Sequence, residues 1–177
     1  MKKYNYYKDD LDKSVEALKS IKENILKKIF RGNLYNIETS KNNILILLDQ
    51  KSGIDFIRED ETGLQGIACR VQWIKSGRHP FNSFTIRLER YTKQKTEFEK
   101  RKEQITNGYF YPAFTLQAYF DETTKKLLSI GVIKTNKLYE FIENYPDQVY
   151  ENKSDNVFKF VRFEALKDFG IFTLYRK

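Results

Sequence analysis

Carboxylates, rather than thiols or imidazoles, are the groups with which this chain could do metal chemistry. One cysteine, Cys69, excludes an internal disulfide, and one histidine, His79, leaves no set of soft ligands for a structural zinc site. Any metal is therefore expected to be a hard ion such as Mg²⁺, held by carboxylate oxygens. Composition does not choose among the chain's 24 aspartates and glutamates; Asp55 follows Gly53 and Ile54, Asp49 lies in the turn before it, Glu16 in the first amphipathic segment, and Glu97 and Glu99 beside Lys100. Each also has a plain structural reading. Aspartate is favoured at turns; Glu99 stands three residues after Thr96, as a capping-box partner does; Glu97 suits the positive end of a helix; and Glu16 reads as solvated. Covalent chemistry is poorly served. Cys69 falls on the apolar face of a predicted strand and reads as a small buried hydrophobe, His79 precedes Pro80 in a loop, and no phosphate-cradling glycine loop occurs.

Charge suggests the partner. A formal net charge of +8 and a pI near 9.3 favour a polyanion, although the abundance of Lys, Asn, Ile and Tyr is also what a biased nucleotide composition of the gene produces. The densest basic stretch holds Arg87, Arg90, Lys93, Lys95, Lys100, Arg101 and Lys102 against Glu89, Glu97 and Glu99, with Tyr91 inside it. Such interleaving is expected to seat a phosphate backbone and to stack a base, a contact that contributes about 1–3 kcal/mol in single-strand binders. The same run also reads as a solvated helix face with salt-bridge decoration. Arg70 and Arg87 occupy polar faces of predicted strands and would form a basic groove if those strands were neighbours. DNA or RNA is thus the expected partner, and a protein the alternative.

The elements that must position these groups follow from periodicity. Leu11, Val15, Leu18, Ile25 and Ile29 recur at helical spacing behind Asp9 and Asp10, which are expected to cap a helix over about 10–31 that stops at Gly32. Strands are predicted over 44–48, 54–58, 64–73 and 84–88, the third with Ile67, Cys69, Val71 and Trp73 on one face and Ala68, Arg70 and Gln72 on the other. Thr96 opens a helix that ends near Asn107 and Gly108, with Phe98 and Ile105 inward. Residues 109–120 and 127–133 read as a hairpin, Asn136 as the cap of a short helix that ends before Pro146, and 157–163 and 171–175 as the last strands. The expectation is one α+β domain over 1–177, with a mixed β-sheet core flanked by helices at about 34–145. No apolar run reaches the length of a membrane span and the first ten residues lack a signal-peptide core, so a cytoplasmic location is expected.

This order, with Gly53-Ile54-Asp55 leading into a hairpin whose second strand carries Arg70, resembles the PD-(D/E)XK, or restriction-endonuclease-like, nuclease superfamily over residues 30–120. The resemblance implies that fold, and an Mg²⁺ site built from an Asp at the end of one strand and an acidic-X-Lys triplet on the next, whose Lys helps position the attacking water. Asp55 stands where the aspartate is expected. Ala68-Cys69-Arg70 stands where the triplet is expected, and departs from it, since Ala68 has no ligand atom and Arg70 is a planar fork that stays protonated. Some superfamily members carry the carboxylate on the following helix, which implies an alternative site of Asp55, Glu97 or Glu99, and Lys100, with Asp55 and Glu97 on the metal and Arg70 on the phosphate. A nuclease-like, nucleic-acid-binding protein that cleaves phosphodiesters with Mg²⁺ is one expectation. The other is a non-catalytic interaction or inhibitor protein of a mobile element or phage on the same scaffold, for which the 26 Tyr and Phe residues supply contact anchors.

Overall fold

Strand β5 (Pro112–Asp121) alternates Leu116, Ala118 and Phe120 with Thr115, Gln117 and Tyr119, so two faces of the sheet must be covered at once. It lies in the middle of a six-stranded sheet ordered β1-β2-β3-β5-β6-β9, with β1 Asn33–Asn36, β2 Phe56–Asp60, β3 Gly63–Ile74, β6 Leu127–Lys134 and β9 Phe172–Tyr175. Every pairing is antiparallel except β3 with β5, which makes the sheet mixed. A three-stranded antiparallel sheet, β4 (Ser83–Arg87), β8 (Phe158–Arg162) and β7 (Tyr150–Glu151), packs beside it. The computed structural model describes residues 6–37, 42, 43, 45, 52–88, 95–152 and 157–175, with side chains from 13 onward. Over these residues the protein is an α+β fold with a mixed sheet flanked by helices, as the sequence predicts.

One face is covered by the N-terminal helix. Helix α1 (Tyr6–Ile21) runs through a π-helical turn, Lys22–Leu26, into a short helical segment, Lys27–Ile29. Ala17, Leu18, Ile21, Ile25, Leu26 and Phe30 pack on Ile67, Leu116, Ala118, Phe120, Ile130 and Val132, with Cys69, Val71 and Trp73 at the margin. The opposite face carries helix α2 (Glu97–Thr106), helix α3 (Thr135–Asn144) and the small sheet, around Ile74, Phe84, Ile86, Tyr119, Phe141 and Phe163. Two glycines are fixed by close approach. Gly32 has φ +94° and a Cβ there would meet the Glu59 carbonyl at 2.1 Å, while a Cβ at Gly131 would lie 2.6 Å from the Phe163 ring.

Several local expectations change. The helix begins at Tyr6, so Asp9 and Asp10 lie within it and do not cap it. Leu45 is helical rather than part of a 44–48 strand, because a five-residue apolar run carries no period that separates strand from buried helix; the rest of that run and Asp49 lie outside the described residues. Helix α3 starts at Thr135 behind Lys134, which has no side-chain cap, and the Asn136 side chain accepts instead from the Lys137 N–H. Strand β4 is not a neighbour of β3 but pairs with β8 in the second sheet.

Candidate functional site

On the face of β3 and β5 away from α1, register pairs Ala68 with Thr115 and Arg70 with Gln117. The methyl side chain of Ala68 fills little of this face. A cleft of about 200 Å³ opens there, floored by these four residues and walled by Phe84, Thr85 and Ile86 of β4, by Gly53 and Asp55 before β2, and by Glu97 of α2. Asp55 and Glu97, separated by most of the hairpin and β4, thus reach one cavity together with Arg70.

Each group is held by its element. Asp55 extends the β2 ladder, donating its N–H to the Ile67 carbonyl (2.9 Å) while its own carbonyl accepts from Ile37 (3.0 Å). Its Oδ2 accepts the Cys69 backbone N–H at 2.5 Å. Thr96 and Glu99 form the expected capping box, and that cap places Glu97 in the first turn of α2, facing the cleft. Bonds from the Thr96 backbone and side chain hold the Glu99 carboxyl below the ordinary carboxylate range. Arg70 lies between the walls. Its Nη1 donates to the Thr85 carbonyl and stands 3.7 Å from Glu97 Oε2, a half-exposed pair whose strength is limited by solvent.

A second guanidinium supports the cavity from behind. Arg101 is 5 % exposed and its Nη1 donates to the Ser52 carbonyl and to Gln104 Oε1, both at 2.8 Å. Its Nη2 lies close enough that a Cβ on Gly53 would sit 3.3 Å away, and Gly53 itself has φ +57°. Burial disfavours the charge of Arg101, while Tyr139, Glu97 and Asp55 favour it. Tyr139, buried on α3, has its phenol pushed well above the ordinary range, chiefly by burial and then by Glu97. Arg101 therefore ties the turn before Asp55 to the helix that carries Glu97.

The sequence-predicted residues divide accordingly. Asp55, Arg70 and Glu97 meet in the cleft. Glu99 is occupied by the cap, and Lys100 is exposed on α2 and does not line the cleft. Arg101 leaves the basic surface for the interior, and Lys95 and Lys102, both exposed, pair with Glu103 (2.6 Å) and Glu143 (2.8 Å). Arg90, Tyr91 and Lys93 lie outside the described residues. Although β3 and β4 belong to different sheets, Arg70 and Arg87 converge on one aromatic ring, their guanidinium carbons 5.7 and 5.2 Å from the centre of Phe158. His79 is exposed, as expected of a loop histidine, and so is Glu16. Sequence reasoning missed Thr115, Gln117, Tyr139 and Phe158. The polar face of the aromatic strand β5 was a signal for the first two, whereas nothing local marks Tyr139 or Phe158. Compared with protein-family models, curated proteins and solved structures, the chain matches none of them.

Proposed function

We propose that this protein is a nuclease-like nucleic-acid-binding protein whose cleft, lined by Arg70 and the carboxylates of Asp55 and Glu97, takes a phosphodiester. The observation that supports this most is the convergence of Asp55, Glu97 and Arg70 on one cavity from three separate elements. Buried strands and a capped helix place fixed charges there, which is how a site preorganises for a charged group. The excess of basic residues supplies long-range attraction for the polyanion.

The donor set suits Mg²⁺. That ion takes one or two carboxylates and keeps several waters, and Asp55 and Glu97 are the two carboxylates that line the cleft. Asp55 and Glu97 would hold it, and when bound it would lower the pKa of a coordinated water and polarise a phosphoryl oxygen. The protein's own contribution is orientation. Cys69 N–H fixes the Asp55 carboxylate, the α2 cap aims Glu97, and Arg70, unable to lose its proton, balances charge on the phosphate without acting as a base.

The test is metal-free titration with labelled single- and double-stranded DNA and RNA at two salt concentrations, followed by Mg²⁺ and a denaturing gel. Asp55→Asn keeps an oxygen acceptor for Cys69 N–H, so binding should persist while cutting stops. Equal cutting by the variant would remove Asp55 from the mechanism. A second reading, a protein-interaction module of a mobile element or phage, is favoured by the absence of a ligand atom at Ala68 and by exposed Phe81, Tyr109, Phe110 and Tyr150. Aromatic-centred binding of a protein would depend far less on salt than binding of a polyanion. No helix among the described residues is long and apolar enough to cross a membrane.

A further inference from the structure

The floor of the cleft contains a donor with nothing to donate to among the described residues. Gln117 is 1 % exposed, lines the cavity, and its Nε2 has no hydrogen-bond partner among the described residues. Buried amides are nearly always paired, so an orphan at the floor of a cavity points to an acceptor that arrives from outside. Its two register partners on the sheet supply no side-chain acceptor. Arg70, its register partner on β3, carries only donors, and Gly131, its register partner on β6, has no side chain. Thr115, two positions along, shares a hydrogen bond with the Thr135 hydroxyl at 2.8 Å, and the Tyr119 hydroxyl accepts from the Ser83 N–H at 3.2 Å and donates to the Ser83 carbonyl at 2.7 Å.

We propose that Gln117 is a phosphate-binding residue, giving an Nε2 hydrogen to a non-bridging oxygen that Arg70 holds from the neighbouring strand. The inference rests on the phosphodiester reading of the cleft and adds to it the residue that meets the phosphate at the floor. Two donors from adjacent strands on one sheet face match a ligand group that only accepts, and a phosphate presents several such oxygens. Ala68, beside Thr115, leaves room where a larger side chain would fill the approach. The amide is covered in the free protein and reaches the oxygen by rotating about its terminal torsion, which for glutamine is broad and soft.

The test uses the full chain with two probes, inorganic phosphate followed by thermal shift, and a labelled oligonucleotide followed by fluorescence polarisation without metal. Gln117→Leu keeps the volume and removes the donor. The expected result is no loss of melting temperature in the free variant, with affinity for both probes weakened by about tenfold or more, the size of one lost bond to a charged acceptor. Gln117→Glu should weaken both further by adding a like charge. Unchanged phosphate and oligonucleotide affinity in Gln117→Leu would overturn the assignment while leaving the phosphodiester reading in place. Phosphate binding that depends on Gln117, with no oligonucleotide binding by the wild type, would keep Gln117 and sink the nucleic-acid reading; binding of neither probe by the wild type sinks both. Should Gln117→Leu fold poorly, Gln117→Met carries the same readouts and the same outcomes.

Discussion

Replacing Arg101 separates a surface role from a structural one. The sequence places this residue in a basic stretch, where removing one cation would weaken phosphate binding and leave stability untouched. The structure instead buries it, with Nη1 shared between the Ser52 carbonyl and Gln104 Oε1. In Arg101→Met the aliphatic stem is preserved and two charge-assisted bonds are lost, each worth about 1.5–3 kcal/mol. Against that stands the desolvation of a buried cation, on the order of several kcal/mol, which the neutral side chain avoids. Half-compensation leaves a net loss of about 2 kcal/mol, because the Ser52 carbonyl and the Gln104 amide oxygen both lose their partner. For a chain of this length that corresponds to a melting point lower by roughly 4–8 °C. Arg101→Lys should recover only part of it, since an ammonium on a flexible stem cannot reproduce the planar fork. Urea unfolding with thermal denaturation measures the loss, and a metal-free oligonucleotide titration below the melting point reads the site. A variant within about 0.5 kcal/mol of wild type that nevertheless loses nucleic-acid affinity would refute the reasoning and return Arg101 to direct ligand contact.

Thr96→Ala removes the capping box that opens α2 and should cost about 1 kcal/mol in chemical denaturation; because the cap aims Glu97, Mg²⁺-dependent cutting, where present, should fall more than metal-free binding does. Acid should act partly through Asp121, whose carboxyl is held low chiefly by the Thr124 backbone N–H (2.7 Å), with the Thr123 N–H (2.9 Å) adding to it, at the turn from β5 to β6. A folded pKa below the unfolded value of about 3.9 means that the contribution is complete above that value and is lost as pH falls through the folded pKa. Asp121→Asn should therefore narrow the stability difference between pH 6 and pH 3, conditions chosen at about two units and one unit either side of that value; an unchanged difference would show that the turn carries none of the acid sensitivity.

The sequence by itself determined the class and most of the elements. Alternation in 64–73 separated the α1-facing side, Ile67, Cys69, Val71 and Trp73, from the cleft-facing Ala68 and Arg70, because a strand's two-residue period assigns faces without tertiary information. The Thr96–Glu99 spacing fixed the start of α2, since a capping box is satisfied within four residues. What only the tertiary structure decided is which of several carboxylates and cations meet. Glu97 and Glu99 are two residues apart on one helix turn, and their roles divide because one faces β3 and the other turns back to its own cap. Arg101 and Lys102 are adjacent in a charge run, yet the helix rotates one inward beneath Gly53 and the other outward to Glu143. Gln117 is one polar residue in an aromatic strand, and that its Nε2 finds no acceptor among the described residues is consistent with what stands in the next two strands, Arg70 and Gly131. Local spacing sets the faces of each element. The company a side chain keeps across the sheet depends on strand order and register, which arise from pairings between residues far apart in the chain.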